Sequence, residues 1–99
     1  MSVARILDVL GDPTRRQIIA FLALQEARVS DIAGEFTISQ PAISQHLRVL
    51  RQAGLVRVRP QAQQRFYSVD AAELARAGVW MLRMAGYGDR LDSLPPELV

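Results

Sequence analysis

"SQPAISQHLRVLRQAGLVRVR", residues 39–59, contains a helix start, an apolar stripe, a helix stop and the beginning of a strand. Ser39 is a good N-cap, Pro41 sits in the first turn, and Gly54 follows the last turn as a stop, so the spacing predicts a helix over 39–53. Ile43, Leu47 and Leu50 recur at helical spacing and form one narrow core-facing stripe. Pro41, Ser44, Gln45, Arg48 and Gln52 lie on the opposite side, mostly hydrogen-bonding groups with no acid among them. A merely solvated helix face mixes Glu with Lys or Arg. This one does not.

Working outward, "LVRVRP" (55–60) and "RFYSVD" (65–70) alternate like two strands, with Val56 and Val58 on one face and Arg57 and Arg59 on the other. "PQAQQ" (60–64) is read as the polar hairpin loop between them. Upstream, Val3, Ile6, Leu7 and Leu10 make a short helix that stops at Gly11. Asp12 as N-cap and Pro13 at the first helical position open a second helix, whose buried face is Ile18, Ile19 and Leu22. A third begins at Ser30 as its cap, with Asp31 favouring its positive end and Ile32, Ala33 and Phe36 inward. Asp70 caps a last helix, with Glu73 completing a capping box. There Leu74, Ala77, Gly78, Met81, Leu82, Met84 and Ala85 form a wide apolar face flanked by Trp80. From Gly86 the tail is expected to fray. The order is four helices, a two-stranded hairpin and a fifth helix: mainly α with a small β-hairpin.

The 99 residues suit one domain, 1–99, with a thin stability margin that a partner subunit would widen. No run of about 18 apolar residues predicts a membrane span. The first residues lack the pattern of a signal peptide. Cysteine is absent, which removes disulfides and thiolate metal sites and fits a cytoplasmic protein. Charge is unevenly spread. Between Phe36 and Val69 stand Arg48, Arg51, Arg57, Arg59 and Arg65 with no Asp or Glu, so the net +2 conceals a basic middle third. All twelve basic residues are Arg, a planar fork suited to phosphate and guanine edges, although a GC-rich genome produces the same bias. It does not produce the missing acids.

Two helices joined by a short turn, the second bearing polar groups outward, follow the helix–turn–helix plan, here over about 30–53 with Thr37 and Ile38 as the turn. The arginine-bearing hairpin, about 55–69, is then a wing. In this reading Ser39, Pro41 and the first N–H groups of the helix face phosphate. Gln40, Ser44, Gln45 and Arg48 are the candidates for base edges, since Gln pairs with adenine and Arg with guanine in bidentate fashion. Arg57, Arg59, Gln64 and Arg65 track the DNA backbone.

The chain resembles the ArsR-type winged-helix repressors of bacteria over nearly its whole length. "LGDPTRRQIIAFL" (10–22), "VSDIAGEF" (29–36), residues 39–59 and "RFYSVD" (65–70) carry the likeness, and "ISQHLRVLRQAGLV" (43–56) is its most specific part. The resemblance implies a homodimer paired through its first and last helices (the last about 71–85) on a short palindromic operator. It places Val3, Ile6, Leu7, Leu10, Leu74, Trp80, Met81 and Met84 at the dimer surface, in keeping with terminal helices too apolar for a small domain alone. Relatives that sense metals use a cysteine pair in the helix before the recognition helix, or His, Asp and Glu on the last helix. "RVSDIAGEF" (28–36) has no cysteine and "DAAELARAGVWMLRMAGYGDR" (70–90) no His, so neither a metal nor another cofactor is expected. The tail "YGDRLDSL" (87–94) is similar to that of relatives without a metal site, whose inducer is often unknown. The wing tip lacks the glycine frequent in relatives.

His46, the only histidine, lies at the edge of the apolar stripe. A backbone hydrogen bond near the turn is its first reading, a phosphate contact its second, metal ligation a remote third. Ser44 is read as a DNA contact before a solvated residue. Arg51 is balanced between an intramolecular pair and DNA, and Tyr67 is expected to pack at the base of the wing. Trp80 and the methionines suit core or dimer interface before an inducer pocket. No nucleophile is coupled to a base and no glycine-rich phosphate loop follows a strand, so no catalytic residue is assigned. The alternative function is a winged helix that binds protein or RNA. A protein-binding wing tolerates acids, and an RNA reader shows aromatics for stacking.

Overall fold

Side-chain caps decide where most of the helices begin in the computed structural model, which describes residues 2–88. The elements run α1 (Val3–Val9), α2 (Pro13–Leu22), α3 (Val29–Ala33), α4 (Gln40–Gln52), β1 (Val56–Gln61), β2 (Gln64–Val69) and α5 (Ala71–Met84). Ser2, Asp12, Ser39 and Asp70 each accept a hydrogen bond from the backbone N–H three residues on, opening α1, α2, α4 and α5. Gly54 takes a left-handed φ of +81° just past α4, the conformation that ends helices and that glycine adopts without steric cost. Most of the tail reading, from residue 89 onward, lies outside the described residues.

Two cap assignments change. Ser30 lies inside α3, and Arg28 holds the cap position. The Asp31 carboxylate reaches back to the Arg28 backbone N–H (3.0 Å) and guanidinium (2.9 Å). Ala27 exchanges both backbone hydrogen bonds with Tyr67, so the chain leaves a strand-like segment and must turn into helix at once. At α5 the capping box is half made. Asp70 accepts from the Glu73 N–H (3.2 Å), but its own N–H donates to the Leu55 carbonyl (2.8 Å), and Glu73 turns to Arg76 (3.0 Å).

The hairpin is tighter than expected. β1 and β2 stay paired to Gln61↔Gln64, leaving Ala62 and Gln63 alone to turn rather than all of 60–64. Ala62 takes φ +56°, an αL residue costing about 1–2 kcal/mol where glycine would not.

Ile6 and Val9 of α1, Ile18, Ile19 and Leu22 of α2, Ile32 of α3, Ile43, Leu47 and Leu50 of α4, and Leu55, Val56 and Ala77 form one buried core. Full burial of each large side chain contributes about 1.5–3 kcal/mol before entropy is charged. Ile6 was expected at the dimer surface; it is 0 % exposed within the protomer and is a core residue. Periodicity marks a face as apolar without saying which neighbour covers it.

Four carboxylates are held ionised. The Arg28 guanidinium and backbone hold Asp31 at about 2. The Arg15 N–H lowers Asp12, and Arg59 lowers Glu26. At Asp70 burial pulls upward, but the Glu73 N–H and the Arg57 guanidinium outweigh it. A native pKa below the unfolded value, about 4, gives stability that is complete above that pH and lost as pH falls through the folded value. The melting temperature, followed by circular dichroism, should hold from neutrality to about pH 5 and fall below about pH 4. Asp31→Asn should flatten part of that fall.

Candidate nucleic-acid interface

The α4 stripe pins the helix to the core, and its other side is left bare. Gln40, Pro41, Ser44, Gln45, Arg48, Arg51 and Gln52 are all exposed. Ser39 spends its hydroxyl on the Ala42 N–H (3.3 Å), and α3 packs against α4 as the first helix of the pair.

The hairpin register sorts the wing residues. Directly paired residues share a face and neighbours alternate. Val58↔Tyr67 and Pro60↔Arg65 therefore belong to one face, and Arg57↔Ser68 and Arg59↔Phe66 to the other. The first face turns toward α4. Arg65 and Tyr67 line a cleft of about 540 Å³ with Ser44, Arg48, Arg51 and Gln52. A neighbouring cleft of about 300 Å³ brings Arg65 beside Gln40, Gln64 and Arg28.

The second face looks elsewhere. Arg57 donates to Asp70 (2.9 Å). Arg59 donates Nε to Glu26 (3.3 Å), adds a second bond to the same carboxylate, donates to Gln61 (2.8 Å) and lies 5.0 Å over the Phe66 ring. The structure thus joins Arg65 to the α4 face and separates Arg57 and Arg59 from it, each with an acid. Glu26 was not foreseen as a partner. It is 33 residues from Arg59, and no local pattern announces so distant a pair.

Arg48, Arg51 and Arg65 have no ion pair or hydrogen bond among the described residues. Tyr67 is half-buried and paired through its backbone to Ala27, at the base of the wing as expected. His46 departs from its first reading. Among the described residues its buried Nδ1 has no hydrogen-bond partner. Among the described residues no three His, Asp or Glu side chains cluster to hold a metal ion.

A row of amide, hydroxyl and guanidinium groups on an exposed helix face is chemically suited to base edges, and three guanidiniums without a counter-ion among the described residues suit phosphate. Comparison with known proteins points the same way. Residues 12–58 match the bacterial regulatory protein family named arsR. An HTH-type transcriptional regulator of Mycobacterium tuberculosis is 37% identical over 97 residues, covering 93% of this chain and 91% of that protein. The transcriptional repressor SdpR of Bacillus subtilis is 36% identical over 84 residues, 85% of this chain and 93% of its own. Among solved structures, the homodimeric winged helix-turn-helix DNA-binding domain of a possible ArsR-family regulator from Mycobacterium bovis superposes with a TM-score of 0.70. It is 28% identical and covers 86% of this chain and 79% of that one.

Proposed function

Because the chain belongs to the arsR family of bacterial regulatory proteins, we propose that it represses transcription as a homodimer seated on a palindromic operator. It is a winged helix–turn–helix, DNA-binding transcriptional regulator. The observation that carries the reading is the acid-free, exposed face of α4, with Arg48, Arg51 and Arg65 around one cleft and without an ion pair among the described residues.

Gln40, Ser44, Gln45 and Arg48 take base edges in the major groove, while Ser39, Pro41 and the first N–H groups of α4 meet phosphate. Arg65 and Gln64 follow the backbone from the wing. Arg57 and Arg59 reach it only by leaving Asp70 and Glu26. His46 has Nε2 alone to offer a phosphate. Val3, Leu7, Leu10, Leu74, Trp80, Met81 and Met84 form the dimer face, with Ile6 supporting it from within. Two recognition helices then enter successive major grooves about 34 Å apart. The role is binding in the cytoplasm, where the operator is, without catalysis or cofactor. Repression follows the named role of the Bacillus subtilis relative.

The test is binding of the full chain to its own upstream DNA at several salt concentrations, with unrelated DNA as competitor. Arg48→Ala should cost about 1–3 kcal/mol and relax preference at one position of the half-site. Arg65→Ala should weaken all sequences alike and lower the salt slope by about one unit. Unchanged relative affinities among operator variants would show Arg48 not to read a base. Binding abolished by competitor, at this and other genomic fragments, would favour the protein- or RNA-binding alternative.

A further inference from the structure

A second cavity lies behind the wing, away from α4. About 490 Å³ in volume, it opens between the end of α2, the start of α5 and the outer edge of β2. Leu22, Leu24 and Val69 supply apolar wall, and Gln25 and Ser68 supply hydrogen-bonding groups. Glu26 alone among its described lining residues is ionisable. Leu24, on the loop after α2, is 82% exposed.

Size and composition are those of a small-molecule site, apolar with a few placed polar groups, and its one ionisable group is Glu26, whose carboxylate a cation could take over from Arg59. We propose that this cavity binds a small lipophilic cation, an apolar body carrying one amine or amidine, whose charge meets the Glu26 carboxylate. Glu26 is the residue that holds Arg59. Arg59 keeps its place without it, over Phe66 and beside Gln61. An arriving cation therefore takes the counter-ion and leaves the guanidinium. The wing gains one uncompensated positive charge, and the ligand's presence is passed to the DNA-binding surface as electrostatics. Ligand binding stands apart from the DNA reading; only this last coupling rests on it.

The probe is 2-phenylethylamine, with 2-phenylethanol and phenylacetate as neutral and anionic comparators, titrated into the isotopically labelled full chain without DNA. Backbone amide shifts should concentrate at residues 22–26 and 68–75. Because the amine replaces Arg59 as the partner of Glu26, it should bind tighter than the alcohol by at most about threefold, the worth of one half-exposed ion pair, and the acid most weakly. Glu26→Gln should bring the amine down to the alcohol's affinity. Ala71→Leu, which adds bulk to the lining, should weaken all three. Equal affinities, a preference that survives Glu26→Gln, shifts confined to residues 80–84, or no shifts with any probe would overturn the site. Operator binding then tests the coupling separately: both the amine and Glu26→Gln should raise the salt slope by about one unit. An unchanged slope with the amine bound would overturn the coupling and leave the operator reading intact.

Discussion

If the proposed dimer pairs through α5, Trp80→Asp should give a folded monomer and lower operator affinity by about 10²–10⁴-fold, the advantage of linking two half-site contacts in one particle. Within one protomer Trp80 is 43% exposed, Met81 49% and Met84 66%, so α5 carries large apolar side chains that its own core does not cover. In a two-fold interface each substitution acts twice, and a carboxylate buried there without a partner is costly. Because the indole is not part of the protomer core, the helical circular dichroism signal should survive. Light scattering should give the mass of a single chain, and Trp80→Phe should remain dimeric. A dimeric Trp80→Asp protein would move the interface off α5, and an unfolded one would place Trp80 in the core instead.

Leu50→Ala should remove about 2–5 kcal/mol of stability, out of a total near 5–15. The side chain is 0 % exposed at the inner end of the α4 stripe, and the Leu50 carbonyl accepts the Leu55 N–H (3.0 Å), which ties the helix end to the first strand. Surrounding residues collapse only partly into such a cavity, so its cost exceeds simple transfer. Denaturant unfolding at fixed protein concentration should show an earlier midpoint with an unchanged slope. At equal concentration of folded protein, operator preference should stay as it was, because Leu50 faces away from the exposed row. A loss under about 1 kcal/mol would mean that α4 is not seated on the core through this stripe.

The elements were legible wherever their causes are local. Asp12, Ser39 and Asp70 act on an N–H three residues away, and the Ile43, Leu47, Leu50 stripe needs only the helical period. The same locality explains the errors. Ser30 has the right chemistry for a cap, but Ala27 pairing with Tyr67 from across the chain moves the helix start upstream. Glu73 has the right spacing for a capping box, but the Asp70 N–H is taken by Leu55. The five-residue loop around Ala62 shortened because the strands kept pairing to Gln61 and Gln64.

The candidate site divides the same way. That α4 exposes a row without acids follows from residue order and 100° per residue, and needs nothing distant. Which arginines remain free is another matter. Arg57, Arg59 and Arg65 are alike in type and neighbourhood along the chain. Hairpin register put Arg65 toward α4 and the other two against Asp70 and Glu26. Composition could count the charges of the wing, but only the packed molecule could pair them. A cap or a stripe is made by neighbours within a turn, whereas an ion pair across 33 residues exists only once folding has closed the loop between its partners.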